Sequence, residues 1–507
     1  MNDVVILSES YAVVRYAGPY VAARSARAAG YKVKILDHIS KHPDLIEYAR
    51  PHISSKTKLV VISTTFLYNF KNHLDATDRA IGWDLFEHYN LNLHFGNQEQ
   101  LGDFFNKLRK LMPTGCKLAL AGERVNKVYN YYQLINNDHP IKELVDVYFL
   151  GRDDDCLLNY LEDKNYDTKF DKFIVGNASA GFKFASPPTM IYTPDDCIVD
   201  EHESLTIEIS RGCAFNCKYC NYDKKTVNKL EKDVLRDQFL KYYDLYGTTN
   251  YNFTTDCFND NIEFVRYFYE MTQSLPFKIQ WSSYARPDLC ARYPEVVDMM
   301  IESGAVSNFY GVETLNREVG KKIGRGLDFE RILEVFSRFK KLSPDYFIKA
   351  FFIIGLPGET HNTIQHAINW IGSQQIIDSA SVQTLELEPT FDDVNLLMDI
   401  SEFSTSPEKY GFEEVSFNPV HYWRHSTMDK TEADNLQLQW NTAQEKNTYM
   451  TSGDGMIIAE LQGLRVADKF KNIIQKRQLD LMVKIKDQYR NKYYNKINNS
   501  AGALPRG

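Results

Sequence analysis

Three cysteines fall within eight residues, in the run Arg211-Gly212-Cys213-Ala214-Phe215-Asn216-Cys217-Lys218-Tyr219-Cys220. Thiolates this close on one loop can reach different corners of one small inorganic cube, and cysteine is the ordinary holder of iron–sulfur clusters. A cubane asks for about four ligands. This C-x3-C-x2-C loop offers three, so one iron stays open to a non-protein ligand, much as a catalytic zinc keeps an open position. Two other chemistries compete with that reading. One is a zinc site completed by a distant Cys197 or His202, although closed zinc sites usually pair two short knuckles and the chain has no second one. The other is a closed electron-transfer cluster completed by a cysteine elsewhere. The remaining cysteines, Cys116, Cys156, Cys197, Cys257 and Cys290, are scattered, which argues against a disulfide framework. Cys257 and Cys290 read as buried small hydrophobes.

The elements that must position this loop follow from the apolar pattern. Directly before the cysteines begins a βα series with candidate strands Thr206 to Ser210, Tyr251 to Thr255, Lys278 to Ser283, Val306 to Val312, Phe347 to Ile354 and Ser381 to Leu387. Helical segments such as Pro294 to Gly304 and Phe329 to Lys341 lie between them. Six such units predict a partial, TIM-like (β/α)6 barrel over residues 201–390, with the cysteines at the carboxyl end of its first strand, where barrels place their chemistry. Residues 1–165 show a second βα rhythm, with runs at Val4 to Ser8, Val33 to Asp37, Leu59 to Thr64, Lys117 to Ala121 and Val145 to Leu150. Strands buried on both faces with helices between them predict a doubly wound, Rossmann-like parallel sheet that binds ligands beyond its carboxyl edge. Phe66 to Asn97 fits no repeat of the pattern and reads as an insertion, 166–200 as an irregular linker, and 391–507 as a mostly helical extension.

The 507 residues and 43% hydrophobic content suit a multi-domain α/β protein. No run of about 18 uncharged apolar residues occurs, which excludes a membrane-spanning helix. The start, MNDVVILSES, has no basic leader or cleavage site, so a cytoplasmic location is expected. Net charge is −8, yet residues 465–496 carry ten Lys or Arg against three Asp, +7 locally and −15 for the rest. That tail is expected to be a solvated helix face, with contact to nucleic acid or an acidic partner as the alternative. His421-Tyr422-Trp423-Arg424-His425 is the most chemically loaded stretch of the extension, and it is expected to pack the extension onto the barrel or to line its mouth.

With these residues in place, the chain resembles the radical SAM superfamily, whose signature is this cysteine triad after the first barrel strand. The resemblance implies a [4Fe-4S] cluster on Cys213, Cys217 and Cys220. It also implies S-adenosylmethionine (SAM) chelated at the open iron, and reductive cleavage to a 5′-deoxyadenosyl radical that abstracts hydrogen from a substrate. In that family the aromatic residue before the last cysteine, here Tyr219, lies against the adenine. Further segments resemble the family in order: Phe253-Thr254-Thr255-Asp256, Trp281-Ser282-Ser283-Tyr284-Ala285-Arg286, Gly311-Val312-Glu313-Thr314 with Lys322 to Gly326, and Gly355-Leu356-Pro357-Gly358-Glu359-Thr360. The resemblance makes Asp256, Ser283, Glu313, Arg325, Gly355 and Pro357 cofactor-binding candidates, against the plainer readings of an N-cap, core filling or a surface ion pair.

A doubly wound domain before such a barrel resembles the cobalamin-dependent radical SAM group over roughly residues 1–390. This implies a cobalamin-binding-type first domain and methyl transfer to an unactivated carbon. The DxHxxG cobalamin motif is absent after the first strand, where Ser8-Glu9-Ser10-Tyr11 stands. Two alternatives therefore stay open: a radical SAM enzyme without cobalamin that performs another radical modification, and a non-catalytic iron–sulfur protein. The expected partners are SAM, an unidentified substrate and a low-potential electron donor such as a flavodoxin or ferredoxin.

Overall fold

Short β-branched runs alternating with amphipathic helices build two parallel sheets. The computed structural model describes residues 1–9, 15–39, 42, 44–64, 98–122, 125, 143–151, 154–163, 167–169, 172–175, 191–199, 201, 203–221, 227–374, 376–390, 400–417, 421–446 and 479–502. They fall into two units, one reaching to Val199 and joined by the chain end from Lys484, the other running from Asp200 to Val483.

In the first unit β1 (Val4–Leu7), β2 (Val33–Leu36), β3 (Leu59–Ser63), β4 (Lys117–Ala121) and β5 (Val147–Leu150) form a sheet with β6 (Asp167–Lys169) and β7 (Phe173–Val175). Its order is β2-β1-β3-β4-β5-β7-β6, all parallel except the edge strand β6. β1 and β3 are buried at every position, as strands covered by helices on both faces must be. Strand order reverses between β1 and β3, which makes that carboxyl edge the switch point. Two expectations need correction here. The stretch expected to be an irregular linker supplies β6 and β7, because Phe173-Ile174-Val175 is too short a run to stand out until β5 offers it a partner. The chain end does not stay with the extension either. The helix Leu479–Gly502 brings Tyr493 and Tyr494 to the end of β2, where the Asp37 N–H donates to the Tyr493 hydroxyl at 2.8 Å and the Tyr494 hydroxyl donates to the His38 carbonyl. The insertion 66–97 lies outside the described residues.

In the second unit, β8 (Leu205–Glu208) leads into a short antiparallel pair, β9 (Ser210–Arg211) with β10 (Asn228–Lys229). β8 then pairs in parallel with β11 (Asn250–Thr254), followed by β12 (Gln280–Ala285), β13 (Ala305–Glu313), β14 (Phe347–Ile354) and β15 (Ser379–Thr384). The sheet is six-stranded and runs in chain order from β8 to β15. One face is packed by helices: Trp281 stacks on Phe253 at 5.3 Å and meets Phe268 of the helix Ile262–Gln273 edge-on. The extension is not helical throughout. Phe412–Ser416, Tyr422–His425 and Met428–Asp429 form β16, β17 and β18 of an antiparallel sheet. Within β17, Trp423 and His425 are buried while Arg424 is exposed, the period-two alternation of a half-buried strand. No described helix is long and apolar enough to cross a membrane.

Candidate active site around the cysteine loop

The cysteine loop starts where β9 ends and is pinned from several sides. The Gly212 N–H donates to the Asp256 carboxylate at 3.0 Å, tying the loop entrance to the exit of β11. The Lys218 N–H donates to the Ile323 carbonyl at 3.1 Å, and the Phe403 N–H to the Lys218 carbonyl at 3.0 Å. Gly324 backs onto the loop at φ +83°, and a Cβ there would meet the Asn216 carbonyl oxygen at 3.1 Å and the Cys217 Cα at 3.5 Å. Lys218 also pairs with Glu402, whose carboxyl falls well below its usual range because it accepts from Lys218 and Tyr410.

The sulfurs of Cys213 and Cys217 each have a polar neighbour from outside the loop. Cys217 is buried, and Arg286 Nη1 donates to its Sγ at 3.2 Å while the guanidinium lies 3.7 Å from the Phe215 ring centroid. Arg286 is itself held by Asp288 at 2.6 Å through Nε, and its backbone N–H donates to Asn259 Oδ1 at 2.8 Å. Cys213 is pushed down to about 7, first by a hydrogen bond from the Cys257 thiol, then by the Phe215 N–H and Arg286, against the opposing effect of burial. Cys257 is pushed up by the same bond and by its burial. The donor set thus suits a thiolate-bound cluster: three soft ligands on one loop, with a cation and a thiol donor beside them. Among the described residues, no three His, Cys, Asp or Glu side chains are grouped as they would be around one metal ion.

A second assembly adjoins the loop. Arg325 donates to the Tyr219 hydroxyl at 3.1 Å and to Glu313 Oε1 at 2.9 Å. The Arg325 and Glu313 side chains are only 13% and 8% exposed, so this is not a surface ion pair. The turn explains the Gly-x-Glu spacing. β13 and β14 shift register between Gly311 and Glu313, and Glu313 takes φ +69°, so a bulge swings its carboxylate over Gly311. A Cβ on Gly311 would meet Glu313 Oε1 at 2.3 Å and Arg325 Nη2 at 2.7 Å. Nearby, Glu359 is buried and its carboxyl is pushed up to about 7 by that burial, although it accepts from Thr314 at 2.8 Å and from the Gly355 N–H at 3.2 Å. This carboxylate ties the β13 exit to the Gly355–Gly358 turn, in which Pro357 is buried.

Residues 207–371 match the family model of the Radical SAM superfamily. The chain carries a radical SAM domain. An uncharacterized methyltransferase of Pyrococcus horikoshii is 24% identical over 165 residues, 32% of this chain and 35% of that protein. A ribosomal protein uS12 methylthiotransferase RimO of Acidovorax sp. is 23% identical over 301 residues, 55% of this chain and 60% of that protein. The matches thus span from about a third to three fifths of these relatives. Among solved structures, the radical S-adenosylmethionine methyltransferase TsrM of Kitasatospora setae, with tryptophan substrate and a SAM analog bound, superposes with TM-score 0.52 at 14% identity, over 79% of this chain and 75% of that one. The cobalamin-dependent S-adenosylmethionine radical enzyme OxsB, with aqua-cobalamin and SAM bound, superposes with TM-score 0.51 at 11% identity, over 100% of this chain and 81% of that one. These likenesses concern the fold.

Of the candidates read from the sequence, Tyr219, Glu313 and Arg325 form one cluster in the radical SAM domain, and Asp256 braces the cysteine loop. Gly355 and Pro357 lie in the turn held by Glu359. Ser283 is a correction. It sits in register with Phe253, two residues from Trp281 on the helix-covered face, and its hydroxyl donates back to the Phe253 carbonyl at 3.5 Å. Alternation along β12 sends Ser282 and Tyr284 to the other face instead. Arg286, Asn259 and Glu359 are site residues that sequence reasoning does not single out, although Arg286 and Glu359 stand inside the matching motifs. The available signal is a cation two residues before Asp288, at a strand's carboxyl end. His421 to His425 packs rather than opens: the Trp423 indole N–H donates to the Leu385 carbonyl at 2.8 Å, and the ring stacks on His425 at 5.4 Å.

The Arg286 contact has an electrochemical consequence. A hydrogen bond to a ligand sulfur stabilises the reduced, more negative cluster and raises its potential. In cluster-loaded protein, Arg286→Gln is expected to lower the midpoint potential by about 50 mV, a one-electron equivalent of about 1.2 kcal/mol. Redox titration followed by electron paramagnetic resonance measures it, and an unchanged midpoint counts against the assignment.

Proposed function

We propose that this protein is a radical SAM enzyme that cleaves SAM reductively and, with cobalamin on its first unit, transfers a methyl group to an unactivated carbon. One observation carries the reading: the C-x3-C-x2-C loop and the Tyr219–Arg325–Glu313 cluster belong to a single pinned assembly at the carboxyl ends of β8 and β13. Cys213, Cys217 and Cys220 would hold the [4Fe-4S] cluster. When bound, that cluster supplies one electron to the SAM sulfonium, which yields methionine and the 5′-deoxyadenosyl radical. Arg286 donates to the Cys217 sulfur and Asp256 fixes the loop entrance. Glu313 and Arg325 offer a carboxylate and a guanidinium to the zwitterionic methionine end of SAM, while Tyr219 and the Gly355 turn offer an aromatic ring and backbone groups to its adenine.

Support for cobalamin comes from the first unit's carboxyl edge. Ser63-Thr64, Ala121-Gly122 and Gly151 end three neighbouring strands with small residues, and a Cβ on Gly151 would meet nothing within 4 Å. Such an edge admits a flat macrocycle. The ends of β1 and β2 carry the last helix instead, through Arg490 beside Glu9 at 3.6 Å and Tyr493 against His38 at 5.2 Å. That cover favours a second reading, radical chemistry without cobalamin. The fold likeness to OxsB and TsrM, both of which have been solved with cobalamin bound, favours the first, whereas the sequence relatives, a methyltransferase and a methylthiotransferase, fit either.

The test uses anaerobically reconstituted full-length protein with SAM, a low-potential reductant and optional hydroxocobalamin. Formation of 5′-deoxyadenosine and retention of corrin after desalting are expected. A fully loaded cluster whose paramagnetic signal is untouched by SAM sinks the radical reading, and loss of all corrin selects the cobalamin-free alternative.

A further inference from the structure

Strand alternation in the second sheet separates two faces of opposite character. Tyr251, Phe253, Trp281 and Tyr310 pack on helices through Phe239, Phe268 and Phe336. Residues one position away point to the other face, and registered partners in parallel strands share a face. On that face Phe309 is in register with Lys349, and Lys349 with Ser379. One step toward the carboxyl edge, Gly311 is in register with Phe351, and Phe351 with Ser381. Tyr284 is in register with Phe309 and completes the row.

This second face is not a hydrophobic core. Lys349 and Ser379 are fully buried and Ser381 is 2% exposed, while the hydroxyls of Ser379 and Ser381 have no hydrogen-bond partner among the described residues. A buried hydroxyl without a partner is costly, so two on one face beside a lysine call for a ligand that accepts hydrogen bonds. Next to them stands a flat apolar wall. Tyr284, Phe309 and Phe351 have ring centroids 5.1, 6.1 and 6.3 Å apart, and Tyr284 keeps 45% of its surface exposed. The Lys349 ammonium lies 5.4 Å from the Phe351 centroid, which brings the cationic and aromatic parts within the span of one small molecule.

We propose that this face is the substrate site and selects a small organic acid in which one carboxylate is joined to a flat aromatic body. The chemistry done there rests on the radical SAM reading, whereas recognition does not. The carboxylate accepts from Lys349 and from the Ser379 and Ser381 hydroxyls, and the ring lies against Tyr284, Phe309 and Phe351. A neutral analogue forgoes the attraction of the ammonium, and a cationic one sets a second positive charge beside it, so both are disfavoured.

Equilibrium binding of 2-naphthoate and of its neutral amide to the full-length protein tests this, read by calorimetry. The acid is expected to bind at least about tenfold more tightly than the amide, about 1.4 kcal/mol. Lys349→Met is expected to remove that preference while leaving amide affinity in place, and Ser381→Ala to reduce it. Equal affinities for acid and amide in the unmodified protein, or no acid binding at millimolar concentration, overturn the proposal, and neither outcome depends on a variant folding. Failure of the radical reading looks different: acid selectivity persists while SAM leaves the loaded cluster unperturbed.

Discussion

Cys217→Ala is expected to abolish cluster assembly and SAM cleavage together. Of the three ligand candidates, Cys217 is the one both buried and hydrogen-bonded by a guanidinium, so its loss removes a ligand and strands Arg286 without the sulfur it faces. Changing a residue that merely supports a metal ligand typically costs about 10–100-fold in affinity or activity. Losing the ligand itself is therefore expected to exceed about 100-fold in 5′-deoxyadenosine formation. Iron content per chain and deoxyadenosine yield, measured on the same anaerobic preparation, check this. Cys116→Ala, in the first unit, is the control and is expected to leave iron content unchanged. A Cys217→Ala protein with a full iron complement and undiminished cleavage removes the loop from the reaction.

A large loss of stability is expected at Gly355. It has φ +92°, and a Cβ there would meet the Trp423 ring at 2.4 and 2.7 Å and the Ala433 Cβ at 3.3 Å. Trp423 cannot move aside, since it is fully buried and its indole N–H is engaged by the Leu385 carbonyl. Overpacking of about 1–3 kcal/mol adds to about 1–2 kcal/mol for a side chain in the left-handed region. Gly355→Ala is therefore expected to destabilise the second unit by about 3 kcal/mol, lowering its melting transition by about 6–12 °C. Gly411 is the internal contrast. It has φ +86°, but a Cβ there would meet nothing within 4 Å, so Gly411→Ala should show the conformational part alone. Equal shifts for the two variants, read by calorimetry, would refute the packing argument.

Much of the site is legible without the fold because its signals are local. Three cysteines on one loop have their spacing decided by the loop itself, and the βα rhythm announces its sheet through the period of its apolar residues. The Gly311-x-Glu313 pair is also visible, although its reason is not: only the register shift against β14 brings the carboxylate over Gly311 and onto Arg325. Ser283 shows where pattern runs out. Within Ser282-Ser283 the composition is the same on both faces, and only the pairing of Phe253 with Ser283 reveals which serine turns toward the helices.

The candidate ligand set, the order of the strands that carry the motifs and the α/β class all follow from neighbours along the chain, so they are readable from residue types and their spacing. Other features exist only in the folded molecule. Arg286 meets Cys217 across 69 residues, and Cys257 beyond the end of β11 lies beside Cys213. The last helix returns to Asp37 and His38, and Lys349 shares a face with two orphaned hydroxyls. These contacts depend on register, bulges and loop closure between distant segments, and residue spacing along a chain does not encode the angle at which two such segments meet.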